Sequence, residues 1–311
     1  MADVDGADSA DSAGRGTDRG TDQRVTTDDG VRLAVRVEGP ADAAATVVLS
    51  HGWTLDSRTW GPVAAGLLRG PCPPRVVRYD HRGHGRSDAV PPETMTIARL
   101  ADDLAHVVSA AAPEGPLVLA GHSMGGMALM ALAEQHPDVA ARAAGLALVA
   151  TASGGLARTT FGLSERGAAL ARSVDRRLRD LPARSRRPAM GPPWLLSPAM
   201  RWLLLGAHPD PRARRLTVEA VAACRPQTVA GFRATLDEHD RDAALAAYAS
   251  TPTAVLAGDR DRLTPVAAAR RIADALPGAR LTVFPGAGHM LPVERVPGVL
   301  ARIGELVRSA G

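Results

Sequence analysis

The chain has 311 residues, 45% of them hydrophobic, which is enough for one large core plus an insertion. All 37 basic residues are arginine, and with 33 acids they leave a net charge of +4. Set beside so much alanine, glycine and proline, that bias reads as the codon usage of a GC-rich genome. No arginine run is interleaved with stacking aromatics, so no nucleic-acid partner is expected.

Residues 1–23 are small, polar and charged, and they read as a disordered tail. They contain no apolar stretch of the kind a secretory signal needs. No run anywhere approaches the ~18 apolar residues of a membrane span. A soluble cytoplasmic protein without stable membrane insertion is expected. Cys72 and Cys224 are the only cysteines and lack C-x-x-C spacing, so neither a disulfide framework nor a zinc site is expected.

Residues 24–38 alternate apolar and polar (Val31, Leu33, Val35, Val37), the period of a half-exposed hairpin. Residues 46–50, 75–79, 117–120 and 145–150 are nearly unbroken apolar runs that suit buried parallel strands. Between them, residues 97–112 place Leu100, Leu104, Val107 and Val108 at helical spacing. The first of the buried strands is followed by His51-Gly52-Trp53-Thr54, where Gly52 allows a tight turn that points the Trp53 N–H inward. Asp80-His81-Arg82-Gly83-His84-Gly85-Arg86-Ser87 follows the second. There Asp80 and Arg82 are expected to brace the loop beside that turn. His51, His81, His84 and His122 lie in glycine-rich turns of different loops without paired ligand spacing, so no metal is expected.

Gly121-His122-Ser123-Met124-Gly125 stands between a strand-like run and a helix-forming stretch. In that context G-x-S-x-G has mechanical meaning. A strand that turns at once into a helix strains its middle residue, and the flanking glycines remove side chains that would collide. The serine oxygen is then held out at the sheet edge, beside the N–H groups of a helix N-terminus. Ser123 is therefore a candidate nucleophile, and the Met124 N–H joins that of Trp53 as a candidate oxyanion donor.

Residues 156–247 are helical in character and broken by prolines. The stretch from Trp194 to Leu205 is dense in apolar residues, so Trp194 and Trp202 are candidate substrate-pocket residues together with Trp53, His122 and Met290. The pairs Arg176-Arg177, Arg186-Arg187 and Arg214-Arg215 read as solvated helix surface rather than an anion site. Strand patterning resumes at Thr253 and stops at Gly258, with Asp259 and Asp261 in the next loop. Another strand-like run, 281–284, leads to Pro285-Gly286-Ala287-Gly288-His289-Met290. His289 is the only histidine after those acids, and Ser, Asp, His is the order this elbow requires.

Five segments in this order resemble the α/β-hydrolase superfamily: the His51-Gly52-Trp53 loop, the Asp80-to-Ser87 segment, the Ser123 elbow, the Gly258-to-Asp261 loop and Gly288-His289. The resemblance runs from about Val25 to the C-terminus. It implies an α/β fold with a mostly parallel eight-stranded sheet, helices on both faces, and a helical cap inserted after the sixth strand. Residues 24–155 and 248–311 would form the core and residues 156–247 the cap. The family's acid sits three residues after the glycine, which carries over to Asp261 rather than Asp259. A serine at position 123 is similar to the esterase, lipase and thioesterase branch, and unlike haloalkane dehalogenases and epoxide hydrolases, which use aspartate there.

The expectation is thus a cofactor-free serine hydrolase of a small, apolar ester or thioester, with Ser123, Asp261 and His289 as catalytic residues. Two alternatives share the motifs: a cofactor-free perhydrolase or haloperoxidase, and a non-catalytic ligand-binding protein of the same fold. Nothing in the sequence indicates an oligomeric state.

Overall fold

Eight strands form one sheet in the order β1-β2-β4-β3-β5-β6-β7-β8. They are β1 (Thr21–Thr26), β2 (Arg32–Glu38), β3 (Thr46–Ser50), β4 (Arg75–Tyr79), β5 (Leu117–His122), β6 (Ala143–Val149), β7 (Thr253–Gly258) and β8 (Arg280–Phe284). Strands β1 and β2 pair antiparallel, as do β2 and β4; every other pairing is parallel. The structure is a computed structural model that describes residues 20–156 and 193–311, with the side chains of 193–197 excepted.

The mostly parallel eight-stranded sheet is the expected one, with a correction at its edge. Strand β1 starts at Thr21, inside the stretch read as tail, because Thr21–Gln23 continue the ladder with Val37–Val35. Asp22 is also ion-paired there with Arg36 and Arg86. Residues 1–19 lie outside the described residues.

Alternate residues of the central strands feed two cores. Val47, Leu49, Val118, Ala120, Val149 and Leu256 meet α1 (Gly61–Leu68) and α8 (Val296–Ala310). Val48, Leu117, Leu119, Leu146, Leu148 and Val255 meet α2 (Ile97–Ala111), α3 (Met124–Gln135) and α7 (Val266–Ala275). Both faces are covered, which is why these strands read as continuous apolar runs. Truncating a fully buried residue such as Leu119 to alanine costs about 2–5 kcal/mol.

Helix α2 begins where the Thr96 side chain accepts the Arg99 N–H. Its buried Asp103 holds Arg82 through Nε and Nη2 at 2.7 and 2.6 Å, and Asp29 takes the same guanidinium from the other side. Asp80 accepts the N–H groups of Ser57 and Arg86, each at 2.8 Å. These two residues brace the loop as expected, since a buried guanidinium and a buried carboxylate persist only when paired or hydrogen-bonded.

Between β6 and β7 the described chain forms α4 (Pro193–Leu204), α5 (Pro211–Ala223) and α6 (Pro226–Asp237). Met200, Leu204, Val218 and Val221 build a satellite core with Leu55, Met290 and Val293. Phe232 and Tyr248 join the main core instead, and the Tyr248 hydroxyl donates to the Leu129 carbonyl at 2.8 Å. The arginine pairs 176–177 and 186–187 lie outside the described residues. No described helix is long and apolar enough to cross a membrane.

Candidate active site

Ser123 is the single residue between the end of β5 and the start of α3, with φ 53° and ψ −120°. A non-glycine residue held there costs on the order of 1–3 kcal/mol, so surrounding contacts must hold it. The Ser123 N–H donates to the Val149 carbonyl at 2.9 Å. The Ser123 carbonyl accepts the Gly126 N–H at 2.9 Å and the Thr151 hydroxyl at 2.7 Å. Gly121 and Gly125 supply space: a Cβ at Gly121 would lie 2.5 Å from the Gly126 nitrogen, and one at Gly125 would strike the Ser50 and His51 carbonyls.

Beyond β7, Asp261 and His289 form a buried pair, Oδ2 to Nδ1 at 2.8 Å. Asp261 is fastened before the histidine is counted. Its Oδ1 accepts the N–H groups of Leu263 and Thr264 at 2.8 and 2.9 Å, and its Oδ2 accepts the Thr264 hydroxyl at 2.8 Å. Burial works to raise the carboxyl's pKa, but the His289 imidazole and the Thr264 donors outweigh it and hold the group below its ordinary value. An ionised Asp261 accepts, so the neutral His289 ring carries its proton on Nδ1 and leaves Nε2 as an acceptor. Asp259 is exposed and accepts the Gly286 N–H at 2.7 Å, a turn bond.

The backbone of His289 is held on two sides. Its N–H donates to the Leu204 carbonyl at 2.8 Å, and its carbonyl accepts from His122 Nε2 at 2.8 Å. Glu294 gathers the N–H groups of Gly206, Gly288 and Met290 at 2.7, 3.2 and 3.0 Å, tying the histidine loop to the end of α4. Burial pushes the Glu294 carboxyl up, partly offset by those donors. Thr264 and Glu294 were not among the residues singled out by sequence. Thr264 had a legible signal, since an aspartate three residues before a threonine in a loop favours local side-chain-to-backbone bonds.

The loop after β3 turns at Gly52, and its left-handed residue is Thr54, at φ 63°. Gly52 is needed because a Cβ there would stand 3.1 Å from the Ser123 Cβ and 3.0 Å from His122 Nδ1. The loop and the elbow therefore touch at Gly52, which brings Trp53 and Met124 to the same corner of the sheet. A Gly52 carbonyl bond from the Leu55 N–H closes the turn at 3.2 Å.

His51, His81, His84 and His122 all serve backbone groups. His51 Nε2 accepts the His81 N–H at 2.9 Å, and His84 Nε2 accepts the Thr54 N–H at 3.3 Å. Burial drives His84 and His122 down to about 3, so both rings are neutral near pH 7. Among the described residues no cluster of His, Cys, Asp or Glu is arranged to hold a metal.

Of the pocket candidates, His122, Trp53 and Met290 adjoin the site residues, while Trp202 lies on an outer helix face. His122 is buried beside His289, and Trp53 packs partly buried against the main core, its Nε1 without a partner. Met290 is fully buried in the satellite core, so it packs rather than lines an open cavity. Trp202 is 46% exposed and points away from that core. Met200 and Leu204, four residues apart, hold the inner face of α4 and leave Trp202 on the outer one. The Trp194 side chain lies outside the described residues.

Residues 45–296 match the family model described as the alpha/beta hydrolase fold. A Variovorax paradoxus protein named "Putative carbamate hydrolase RutD" is 34% identical over 262 residues, 83% of this chain and 89% of that protein. A pimeloyl-[acyl-carrier protein] methyl ester esterase from Chromobacterium violaceum is 32% identical over 250 residues, 78% of this chain and 86% of its own. Among solved structures, a thermophilic esterase from Thermogutta terrifontis superposes with a TM-score of 0.74 at 26% identity, covering 94% of this chain and 100% of that one.

Proposed function

The chain belongs to the α/β-hydrolase family, and within it we propose a serine hydrolase that cleaves a small carboxylic ester or thioester through an acyl-enzyme on Ser123. One observation carries this reading: the buried 2.8 Å pair of Asp261 and His289 is anchored, through His122, to the end of the strand that leads into Ser123. Esterase relatives and structural neighbours support the bond class.

In the proposed cycle the Ser123 hydroxyl oxygen attacks the ester carbonyl while His289 Nε2 takes its proton. The tetrahedral oxyanion is met by the N–H groups of Trp53 and Met124, each contributing about 3 kcal/mol. Asp261 keeps the imidazole in the required tautomer and stabilises its cation. The proton then passes to the leaving alcohol or thiol, and water attacks the acyl-enzyme with His289 as its base. Residues 156–247 act in this reading as the cap that selects an apolar acyl or alcohol group.

The test is an acyl-chain-length series of esters and matched thioesters on the purified protein, run with Ser123→Ala and with a fluorophosphonate probe. Turnover should fall roughly 10³-fold or more in Ser123→Ala, and the probe should label Ser123 alone. Turnover within about tenfold of wild type would remove the serine from the mechanism. Peroxide-dependent halogenation in acetate buffer, outrunning plain hydrolysis, would move the assignment to the perhydrolase alternative.

A further inference from the structure

Beside the loop that carries Asp261, α4, the chain after it and Arg214 of α5 line an open groove of about 720 Å³. Four arginines from three separate segments converge on it: Arg201 from α4, Arg214 from α5, and Arg260 and Arg262 from the loop after β7. No acidic residue stands among the described residues that line it. Several other described arginines are spent on carboxylates, as Arg32 is on Asp88, Arg36 on Asp22 and Arg58 on Asp56. The groove therefore concentrates positive charge with no described internal counterion, in a concave setting that focuses the field.

Its parts are set in position. Arg262 Nη1 donates to the Trp202 carbonyl at 2.6 Å, and its guanidinium lies 4.7 Å from the centre of the Trp202 ring. The half-exposed Trp202 gives the groove an apolar wall. The Leu205–Gly206 backbone separates it from the histidine loop, since a Cβ at Gly288 would lie 2.5 Å from the Leu205 carbonyl carbon. The groove is open to solvent, and its volume falls in the range of small-molecule sites.

We propose that this groove is a second binding site, distinct from the one at Ser123, for a soluble phosphorylated small molecule with an apolar or aromatic body. Guanidinium groups match phosphate oxygens two bonds at a time, which suits Arg201, Arg214 and Arg260 to the anion. Trp202 takes the body of the ligand. The arginine pair at 214–215, read from sequence as solvated surface, contributes one member to this site, because the fold brings it opposite the acid loop.

The test is calorimetric titration of the intact protein with inorganic diphosphate, and with phenyl phosphate against inorganic phosphate. Diphosphate should bind saturably at one site and weaken as salt rises. Arg201→Gln/Arg260→Gln, and separately Arg214→Gln, should each weaken it by about tenfold or more. Arg270→Gln/Arg308→Gln removes the same charge from exposed positions elsewhere and should stay within about twofold of wild type. Phenyl phosphate should bind more tightly than phosphate, and Trp202→Ala should erase that difference. The proposal is overturned by absence of saturable diphosphate binding, or by equal losses in groove and control variants. Binding confined to vesicles of phosphatidylglycerol would overturn it too, as would equal affinity for the two phosphates in the wild type.

Discussion

His122 Nε2 lies 2.8 Å from the carbonyl oxygen of His289, and the two rings stand 4.9 Å apart. A carbonyl only accepts, so His122 carries its proton on Nε2. Its Nδ1 faces the Gly52 corner without a partner. The residue just before Ser123 thus fixes the backbone of the proposed base across 167 positions of sequence. Burial first, and the neighbouring His289 second, keep the His122 ring neutral.

Removing that bond should disturb placement rather than substrate affinity. His122→Ala is expected to lower kcat roughly 10- to 100-fold while KM changes by less than about threefold. His122→Gln, which keeps a donor, should recover part of the loss. Steady-state kinetics on a soluble ester decide it: a rise in KM with kcat unchanged would mean that His122 lines the substrate site and positions nothing.

The two acids of the loop after β7 should separate cleanly. Asp261→Asn takes the charge from the histidine and is expected to reduce kcat by about 10³- to 10⁴-fold. Asp259→Asn disturbs one exposed turn bond to Gly286 and should stay within about tenfold of wild type. The reverse order in a side-by-side assay would reassign the acid.

Glycine replacements should sort by what a new Cβ meets. At Gly125 it meets backbone carbonyls that cannot rotate away, so Gly125→Ala should cost about 1–3 kcal/mol or more. Nothing lies within 4 Å at Gly278, and Gly278→Ala should fall within about 0.5 kcal/mol of wild type. Gly52→Ala crowds Ser123 and His122 and should lower activity more than stability. Urea midpoints and ester turnover, read together, check all three. Equal midpoints for the Gly125 and Gly278 variants would contradict the packing argument.

Acid should unfold the protein through its buried histidines. Burial lowers His84 and His122 to about 3 and His239 to about 4, and it lowers His51 and His81 as well. In the unfolded chain each takes a proton near its ordinary value of about 6.5. The folded state therefore binds fewer protons below that pH. Its stability is fully present above it and is lost as pH falls toward 3–4. Each such histidine contributes a slope of up to about 1.4 kcal/mol per pH unit. The depressed Asp261 adds to the loss only below about 3.8, where its unfolded form protonates. A urea midpoint that stays flat from pH 7 to about 4.5 would show that these rings are not buried neutral.

Much of this molecule is legible residue by residue because its causes are local. The apolar runs at Thr46–Ser50 and Arg75–Tyr79 mark strands at those bounds. A strand buried on both faces needs no information beyond its own side chains. The elbow at Ser123 is similarly local. Gly121 and Gly125 are within two residues of the strain they permit, so the pentapeptide and its flanks carry the geometry.

The tertiary structure decided everything that depends on which faces meet. Trp202 and Met290 are equally apolar in sequence, yet one lies on the outer face of α4 and the other in the satellite core. Gly52 reads as a flexible turn residue, but it is required because Ser123 and His122, some seventy residues on, press against it. The convergence of Arg201, Arg214, Arg260 and Arg262 has no signature in the chain at all. Periodicity tells a residue which neighbours it has along its own element. It does not say which other element packs there, and the partners of His289, the wall of the groove and the crowding at Gly52 are all contacts between distant elements.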